Sequence, residues 1–483
     1  MVEHAHRPSD DACDTTPGSA ESMSLKRFWP LFYIEACMRI SVAGLLLNMV
    51  GLSQIIWPGD DFHSLEFGVI ISAKLTILSI TGVIFGILTD RFSRKKLMIM
   101  CLGIMAAGDI IAGFSVQPWM LVQFIACYSI VGAGQGGIEP IITSIANDDC
   151  HQHFRSRFFG TLEISRQLAL ICGMFVSAVM IDLGLWQLYF WLIGAIVLSA
   201  CVISVIVLHE PARGFQAHES LKQVISTTTA KYGYKLTPGT VKSTIFSRTN
   251  VLAFVEGIFT WILFSVAIYL IYPWIQDQHH VTATSTSMLM AVFGVPGVII
   301  GAIGFSRMSD RLAKRSIKFR VYMITGSILA LFVIVILLFV IPMPDVGTID
   351  AGDLTLIFRY PIFIVFGVLL FMMRALFSVY HINQTPVLQA INLPEAQGFI
   401  SSANQFLETI GYGIGPLLAG VLLLATNNDY PATALISLFI GLPSVTMWLL
   451  ATRWINGDVA RVNEILQIRA GEMAHQNGEK SKP

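Results

Sequence analysis

Charge is scarce in this chain. Only 13% of its 483 residues are Asp, Glu, Lys or Arg, against about 25% in soluble globular proteins, so a water-solvated globule is excluded. The formal net charge is zero, which removes the basic surface that nucleic-acid binding requires. Cysteine is sparse too: seven residues, at 13, 37, 101, 127, 150, 172 and 201, with no Cys-x-x-Cys pair. That argues against a disulfide framework or a zinc site, and the six from Cys37 onward read as small packing residues in or beside apolar runs. His151, His153, His279 and His280 lie in short loops without further ligands. No metal, cofactor or enzymatic activity is expected, because no nucleophile-His-acid arrangement and no phosphate-binding loop appears. Residues 1–24, with Asp10, Asp11 and Asp14, lack a basic segment followed by an apolar one. They read as a disordered tail rather than a cleavable signal peptide.

What the chain has is long apolar runs. A membrane-spanning helix needs about 20 apolar residues, and twelve candidates stand at 28–51, 65–89, 97–116, 118–146, 158–182, 186–208, 250–275, 287–308, 320–342, 359–391, 396–426 and 431–453. Two charged strings sit half a chain apart, Gly86-Ile-Leu-Thr-Asp90-Arg91-Phe-Ser-Arg94-Lys95-Lys96 and Gly304-Phe-Ser-Arg-Met-Ser-Asp310-Arg311-Leu-Ala-Lys314-Arg315. Each follows an apolar run and precedes another, so each is expected as a tight turn between spans. A second internal match aligns Gly160…Arg166-Gln167…Gly173 without gaps to Gly398…Asn404-Gln405…Gly411. The expected fold class is therefore all-α, a polytopic membrane protein of twelve transmembrane helices in two pseudo-symmetric six-helix bundles. The expected divisions are a tail at 1–27, bundles at 28–208 and 250–453, a linker at 209–249 and a second tail at 454–483.

Lys and Arg set the orientation. One side's loops hold Lys26, Arg27, Arg91, Arg94, Lys95, Lys96, Arg155, Arg157, six more in 209–249 and six from Arg307 to Arg320. The opposite loops, 52–64, 183–185, 276–286 and 427–430, hold none. Both termini, both Asp-Arg turns and the linker are expected to be cytoplasmic, with the plasma (inner) membrane as the location.

The two Asp-Arg strings and the six-plus-six layout resemble the major facilitator superfamily, over residues 28 to 453. The resemblance implies alternating access and a cytoplasmic gate at Gly86, Asp90, Arg91, Arg94, Asp310 and Arg311, with Asp90 capping a helix end and Arg91 and Arg94 pairing across the gap. Ser93 stands where the family's motif has its second glycine. Glu35-Ala-Cys-Met-Arg39 and Gly134-Gln-Gly136-Gly137-Ile-Glu139-Pro140 are similar to stretches of proton-coupled oligopeptide transporters. Met38 and Glu139 depart from that pattern. Glu210-Pro-Ala-Arg-Gly214 and Gly411-Tyr-Gly-Ile-Gly415-Pro416 resemble spinster-type lipid transporters. The family's Gly-Pro antiporter motif is absent from the fifth span, which favours symport or uniport.

Ionisable groups deep in the spans are the candidate site, because a charge at the bilayer centre costs about 2.5–3.5 kcal/mol on insertion scales. Glu35, Arg39, Glu139, Arg166, Glu256, Arg374 and Glu408 form the proposed substrate and proton-coupling set. Glu35 and Arg39 share a helix face and are able to pair with each other. Glu256 lies near the linker, where water can reach it. Lys74 and Glu66 are expected to snorkel to the outer interface, and Asp109 has no partner legible in sequence. Arginines fix carboxylate, phosphate or sulfate, and carboxylates in a cavity are able to carry a coupling proton. The sequence thus predicts a monomeric secondary transporter in the lipid bilayer, moving a small charged or zwitterionic organic solute in symport with H+. The alternatives are an amphiphile or lysolipid transporter and a non-transporting membrane sensor or scaffold.

Overall fold

The computed structural model describes residues 25–89, 91–150, 152–210, 246–347, 355 and 359–480. The expected tail at 1–24, Asp90 and linker residues 211–245 lie outside the described residues. The spans are α1 (Trp29–Leu47, continuing past Asn48 as Met49–Ile56), α2 (Ser64–Thr89), α3 (Arg94–Ala112), α4 (Met120–Asp149), α5 (Gln152–Asp182) and α6 (Trp186–Ile206). The second set is α7 (Arg248–Pro273, then a π turn Trp274–Gln278), α8 (Ala283–Leu289, a π turn Met290–Gly294, then Val295–Ala313), α9 (Lys318–Val340), α10 (Pro361–Ala390), α11 (Pro394–Ala425) and α12 (Tyr430–Ala451). A further helix, α13 (Ile455–Lys480), follows.

Among the described residues, 11 helices are long and apolar enough to cross a membrane. The remaining one of the twelve, α3, carries Arg94, Lys95, Lys96 and Asp109 in its 19 residues and is about 28 Å long, close to the hydrocarbon thickness. Helix starts are marked by Ser93, Ser247, Thr282 and Asp429, whose side-chain oxygens accept from the first-turn amides, as capping requires. The π turns adjoin Pro273 and Pro296, where a missing N–H breaks the i to i−4 ladder. The second Asp-Arg string joins two spans as expected, through a turn at 314–317 that includes Lys314 and Arg315, but Asp310 and Arg311 themselves lie in the last helical turn of α8. No glycine or proline interrupts the chain there, so the helix runs on to Ala313.

The two bundles repeat each other. In the first, α1 packs on α5 and α6, α2 on α4, and α3 on α4 and α6. In the second, α7 packs on α11 and α12, α8 on α10, and α9 on α10 and α12. Equivalent glycines make equivalent contacts. A Cβ on Gly173 would sit 2.7 Å from Ile40 of α1, and one on Gly411 would sit 2.4 Å from the Ile258 carbonyl of α7.

The halves are joined at the end away from the Asp-Arg strings. Along the α2/α11 seam, a Cβ on Gly68 would lie 2.6 Å from the Pro416 carbonyl and one on Gly420 2.5 Å from that of Ser64. Ser72 Oγ accepts from the Leu417 amide at 3.0 Å, and the Tyr269 hydroxyl donates to the Ser64 carbonyl. The break in α1 at Asn48 leaves the Leu47 carbonyl free, and Gln276 in the α7 π turn donates to it at 2.7 Å. Thr284 at the start of α8 donates to Asp182 at the end of α5, 2.6 Å through its hydroxyl.

Because the backbone oxygen facing Gly68 cannot yield, Gly68→Val is expected to disfavour this closed end. Cross-linking of an Asp182→Cys/Thr284→Cys pair checks it. The yield falls several-fold in Gly68→Val and is unchanged in Gly103→Val, where a Cβ meets nothing within 4 Å.

Candidate functional site

In the first bundle, four of the predicted residues and one more converge on a single ion cluster. Glu35 of α1 is fully buried, 0% exposed, and its Oε1 accepts from Arg39 Nε at 2.9 Å and from Arg166 Nε at 2.7 Å. Arg166 of α5 also reaches Glu139 of α4 at 3.1 Å and Glu163, one turn earlier, at 3.6 Å. Glu35, Glu139 and Glu163 thus face Arg39 and Arg166, leaving an excess of negative charge. Glu139 and Glu163 are about half exposed, 48% and 53%. The opposite end is closed by the α2/α11 seam, so their exposed faces lie on the side toward the Asp-Arg end. Gln167 donates to Glu163 at 2.7 Å and holds that carboxylate in place.

The second bundle is built differently. Glu256 of α7 is not wet but fully buried, two helical turns in, and accepts from Thr260 and, at 3.4 Å, from Tyr380. Glu408 of α11 accepts from Asn404 at 2.7 Å, with Gln384 and Trp261 beside it, and its stem packs on Gly257. Gln384 donates to Tyr380 at 2.8 Å, so hydroxyl and amide groups bridge the two carboxyls. Among the described residues neither carboxyl has an ion-pair partner.

Arg374 of α10 stands apart from both groups. Its guanidinium lies 5.7 Å over the Phe264 ring, its Nε is buried without a hydrogen-bond partner, and among the described residues no carboxylate pairs with it. The rings around it form a wall: Phe264 stacks on Phe377 at 3.6 Å, and Trp261 meets Phe377 at 4.8 Å and Tyr412 at 5.6 Å. Tyr412 lies within coulombic reach of both Arg374 and Arg39, and exposed His381 of α10 within reach of Glu163. The two bundles therefore present their charges to one shared space.

At the gate, Ser93 is the N-cap of α3, accepting from the Lys96 amide at 3.3 Å, which gives a reason for serine where the family motif has glycine. Glu210, at the start of the linker, accepts from Ser93 and from the Arg94 amide, the latter at 2.8 Å. A carboxylate at a helix N-terminus is favoured by the helix dipole. Arg94 is buried, whereas Arg91 and Arg311 are exposed. A Cβ at Gly86 would meet nothing within 4 Å. Asp310 is held at 2.6 Å by Arg320 of α9, which also donates to Ser309 at 3.0 Å.

Several contributors were hidden from sequence reasoning. Glu163 is held from its own helix by Arg166 and Gln167, whereas Gln384 and Arg320 meet partners from another helix or from the far side of a turn. Lys74 does not snorkel: it is 6% exposed inside the bundle. Its position about 15 Å along α2 puts the interface out of reach of its stem. Asp109 does have a partner, Ser41 of α1, which donates to it at 2.7 Å.

Removing Arg166 leaves the buried Glu35 carboxylate with one of its two guanidinium partners, Arg39. Arg166→Ala is expected to cost about 3–5 kcal/mol, read as a lowered unfolding temperature in detergent, and Glu35→Gln in the same protein recovers most of it. Glu139→Gln, at a water-exposed position, changes the temperature little. Equal losses in Arg166→Ala and Glu139→Gln would contradict the asymmetry.

Known proteins bear on this arrangement in three ways. Residues 38–416 match the profile of the Major Facilitator Superfamily. Multidrug resistance protein 2 of Bacillus subtilis is 24% identical over 421 residues, covering 85% of this chain and 94% of that protein. Two matches are partial. MFS-type transporter clz4 of Cochliobolus lunatus is 32% identical over 27% of this chain and 23% of its own length. The 4-hydroxybenzoate transporter PcaK of Pseudomonas aeruginosa is 26% identical over 35% and 37%. A bacterial homologue of the human lysosomal transporter Spinster, solved in an inward-facing, unoccupied conformation, superposes with a TM-score of 0.70 at 14% identity, over 90% of this chain and 98% of that one. With two repeated six-helix bundles meeting at a charged midplane space, and a profile match that spans both, this chain belongs to the Major Facilitator Superfamily and is a multi-pass membrane transporter of small molecules.

Proposed function

We propose that this chain is a proton-coupled secondary transporter of a small charged or zwitterionic organic solute. It works as a monomer by alternating access, in the plasma (inner) membrane with both termini cytoplasmic. The observation that carries the reading is the division of charge across the cavity. Arg374 offers a guanidinium that no carboxylate among the described residues answers, while Glu139 and Glu163 offer half-exposed carboxylates on the facing bundle. Arg166 is held by three carboxylates and Arg39 by one, so neither is as free to take a substrate anion. A carboxylate on Arg374, an apolar or aromatic body against Phe264, Phe377 and Trp261, and a cationic group toward Glu139 and Glu163 together describe a zwitterion. An organic anion uses the Arg374 end alone. The partial relative named for 4-hydroxybenzoate fits the anionic end of that range.

Glu256 and Glu408 are the assigned proton carriers, because a carboxyl buried without a cation is a place where a proton can be held and released. With the Asp-Arg end cytoplasmic, the conformation described here is open inward. Arg91 and Arg94 then belong to a gate that closes in the opposite state. A lysolipid substrate needs an apolar opening toward lipid, whereas the charged lining favours a water-soluble solute. A sensor or scaffold gives no reason to keep this many charges in the bilayer.

Proteoliposomes under an imposed pH gradient test the reading with 4-hydroxybenzoate, a zwitterionic amino acid, a quaternary ammonium cation and a neutral sugar. Gradient-dependent accumulation of the anion or the zwitterion is expected. Arg374→Gln should lower its kcat/KM by roughly 10- to 100-fold, the worth of one charge-assisted hydrogen bond or two. Glu408→Gln should abolish accumulation yet retain counterflow exchange. Accumulation of the cation or sugar alone, or an undiminished rate in Arg374→Gln, would sink the assignment.

A further inference from the structure

A second set of buried charges lies on the other side of α1 from the ion cluster. Lys74 of α2 is 6% exposed and Asp109 of α3 is 2% exposed. The Lys74 chain crosses α4 at Gly132, where a Cβ would lie 2.5 Å from the Lys74 carbonyl and 3.2 Å from its Cγ. Its Nζ reaches a point 5.9 Å from the centroid of the Tyr128 ring. The Asp109 carboxylate accepts from Ser41 of α1 at 2.7 Å and lies within coulombic reach of the Lys74 ammonium. No direct ion pair joins the two among the described residues. The charges attract one another across a gap without closing it. Pure structural glue would be expected to close, since an ion pair in a bilayer gains most from contact.

The titratable and charged groups facing this pair come from α1, α4 and α6; α11, which also packs on α2, contributes none among those that act on either charge. From α1 come Ser41 and Arg39, the latter a like charge to Lys74. From α4 come Cys127 and Tyr128, and from α6 Tyr189, all within reach of the Asp109 charge. Among the described residues Lys74 is thus the opposite charge that Asp109 has, and it is held off.

We propose that Asp109 and Lys74 form a proton-binding site of the first bundle, distinct from Glu256 and Glu408, at which Asp109 exchanges a proton with water. On release, the carboxyl O–H bond breaks, the proton leaves to water and the carboxylate is balanced by the Lys74 ammonium. On uptake, the O–H bond reforms and the ammonium is left facing Tyr128 and the Ser41 hydroxyl. Arg39 and Ser41 are two residues apart on α1. A movement of α1 that repositions Arg39 in the cavity therefore also alters the hydrogen bond that Ser41 gives Asp109. That is how occupancy of this site and the state of the cavity become linked.

The test needs no transported solute. Infrared difference spectra of the reconstituted full chain, recorded between about pH 5 and about pH 9, report protonated carboxyls. The wild type is expected to show a carboxyl band that appears on acidification. That band is lost in Asp109→Asn and moves to a different midpoint in Lys74→Met. Spectra of Glu256→Gln and Glu408→Gln should retain it, which separates this site from the proposed coupling pair. Lys74→Met/Asp109→Asn removes both charges and serves as the folded control if a single change fails to fold, and it too should lack the band. Wild-type and Asp109→Asn or double-variant spectra that superpose across the range would overturn the proposal. Asp109 would then keep one protonation state and the pair would be structural.

Discussion

A charge inside a bilayer persists only where a partner or water answers it, and the bridge from Arg166 to Glu35 is where this molecule meets that demand most tightly. Glu35 is sealed from solvent and depends on two guanidiniums, both within 3 Å. Arg166 in turn ties α5 to α1 and α4. The first bundle's packing and its electrostatics are therefore one constraint. α1 cannot turn without carrying Glu35, which is bonded to Arg166 of α5, and Ser41, which is bonded to Asp109 of α3.

The second bundle copies the helix arrangement but not the charge. At the position that the internal match aligns with Arg166 stands Asn404, which serves Glu408 rather than gathering carboxylates. Neutral hydroxyls and amides do there what guanidinium does in the first bundle. The consequence is functional asymmetry on a symmetric frame. One half holds a paired ion cluster with a surplus of carboxylate, the other two carboxyls without a cation and one arginine without an anion among the described residues. A substrate that fits between them completes what neither half completes alone.

The frame was legible from the chain because apolar runs and helix breakers are local signals. The repeat was legible because Gly173 and Gly411 lie at matching places, and the same glycines prove to seat α1 and α7. The site was legible in part. Ionisable residues stand out against an apolar background, but sequence does not tell which of them meet. Glu163 joins the cluster through Arg166, one turn away on the same helix. Lys74, early in α2, suggests an interfacial residue, yet the bundle closes around it. Glu256 lies near enough to the linker for water to reach it, yet α7 carries it under Tyr380. For Lys74 and Glu256 the deciding fact is a neighbouring helix tens or hundreds of residues away. The second Asp-Arg string does join two spans, but α8 carries its Asp310-Arg311 pair up to the edge of the turn, because no glycine or proline stands between Phe305 and Ala313.

The account rests on two halves that rock about a shared midplane space. Spin-label distances at the two ends of α2 and α11 test that most directly, with one pair at Asp61 and Asn427, in the loops just outside the joined end, and another at Ile87 and Phe399 on the Asp-Arg end. As the protein cycles through the pH and solute conditions that drive transport, the two distances are predicted to change in opposite senses, one widening as the other narrows. Two distances that stay fixed, or that widen together, would contradict it.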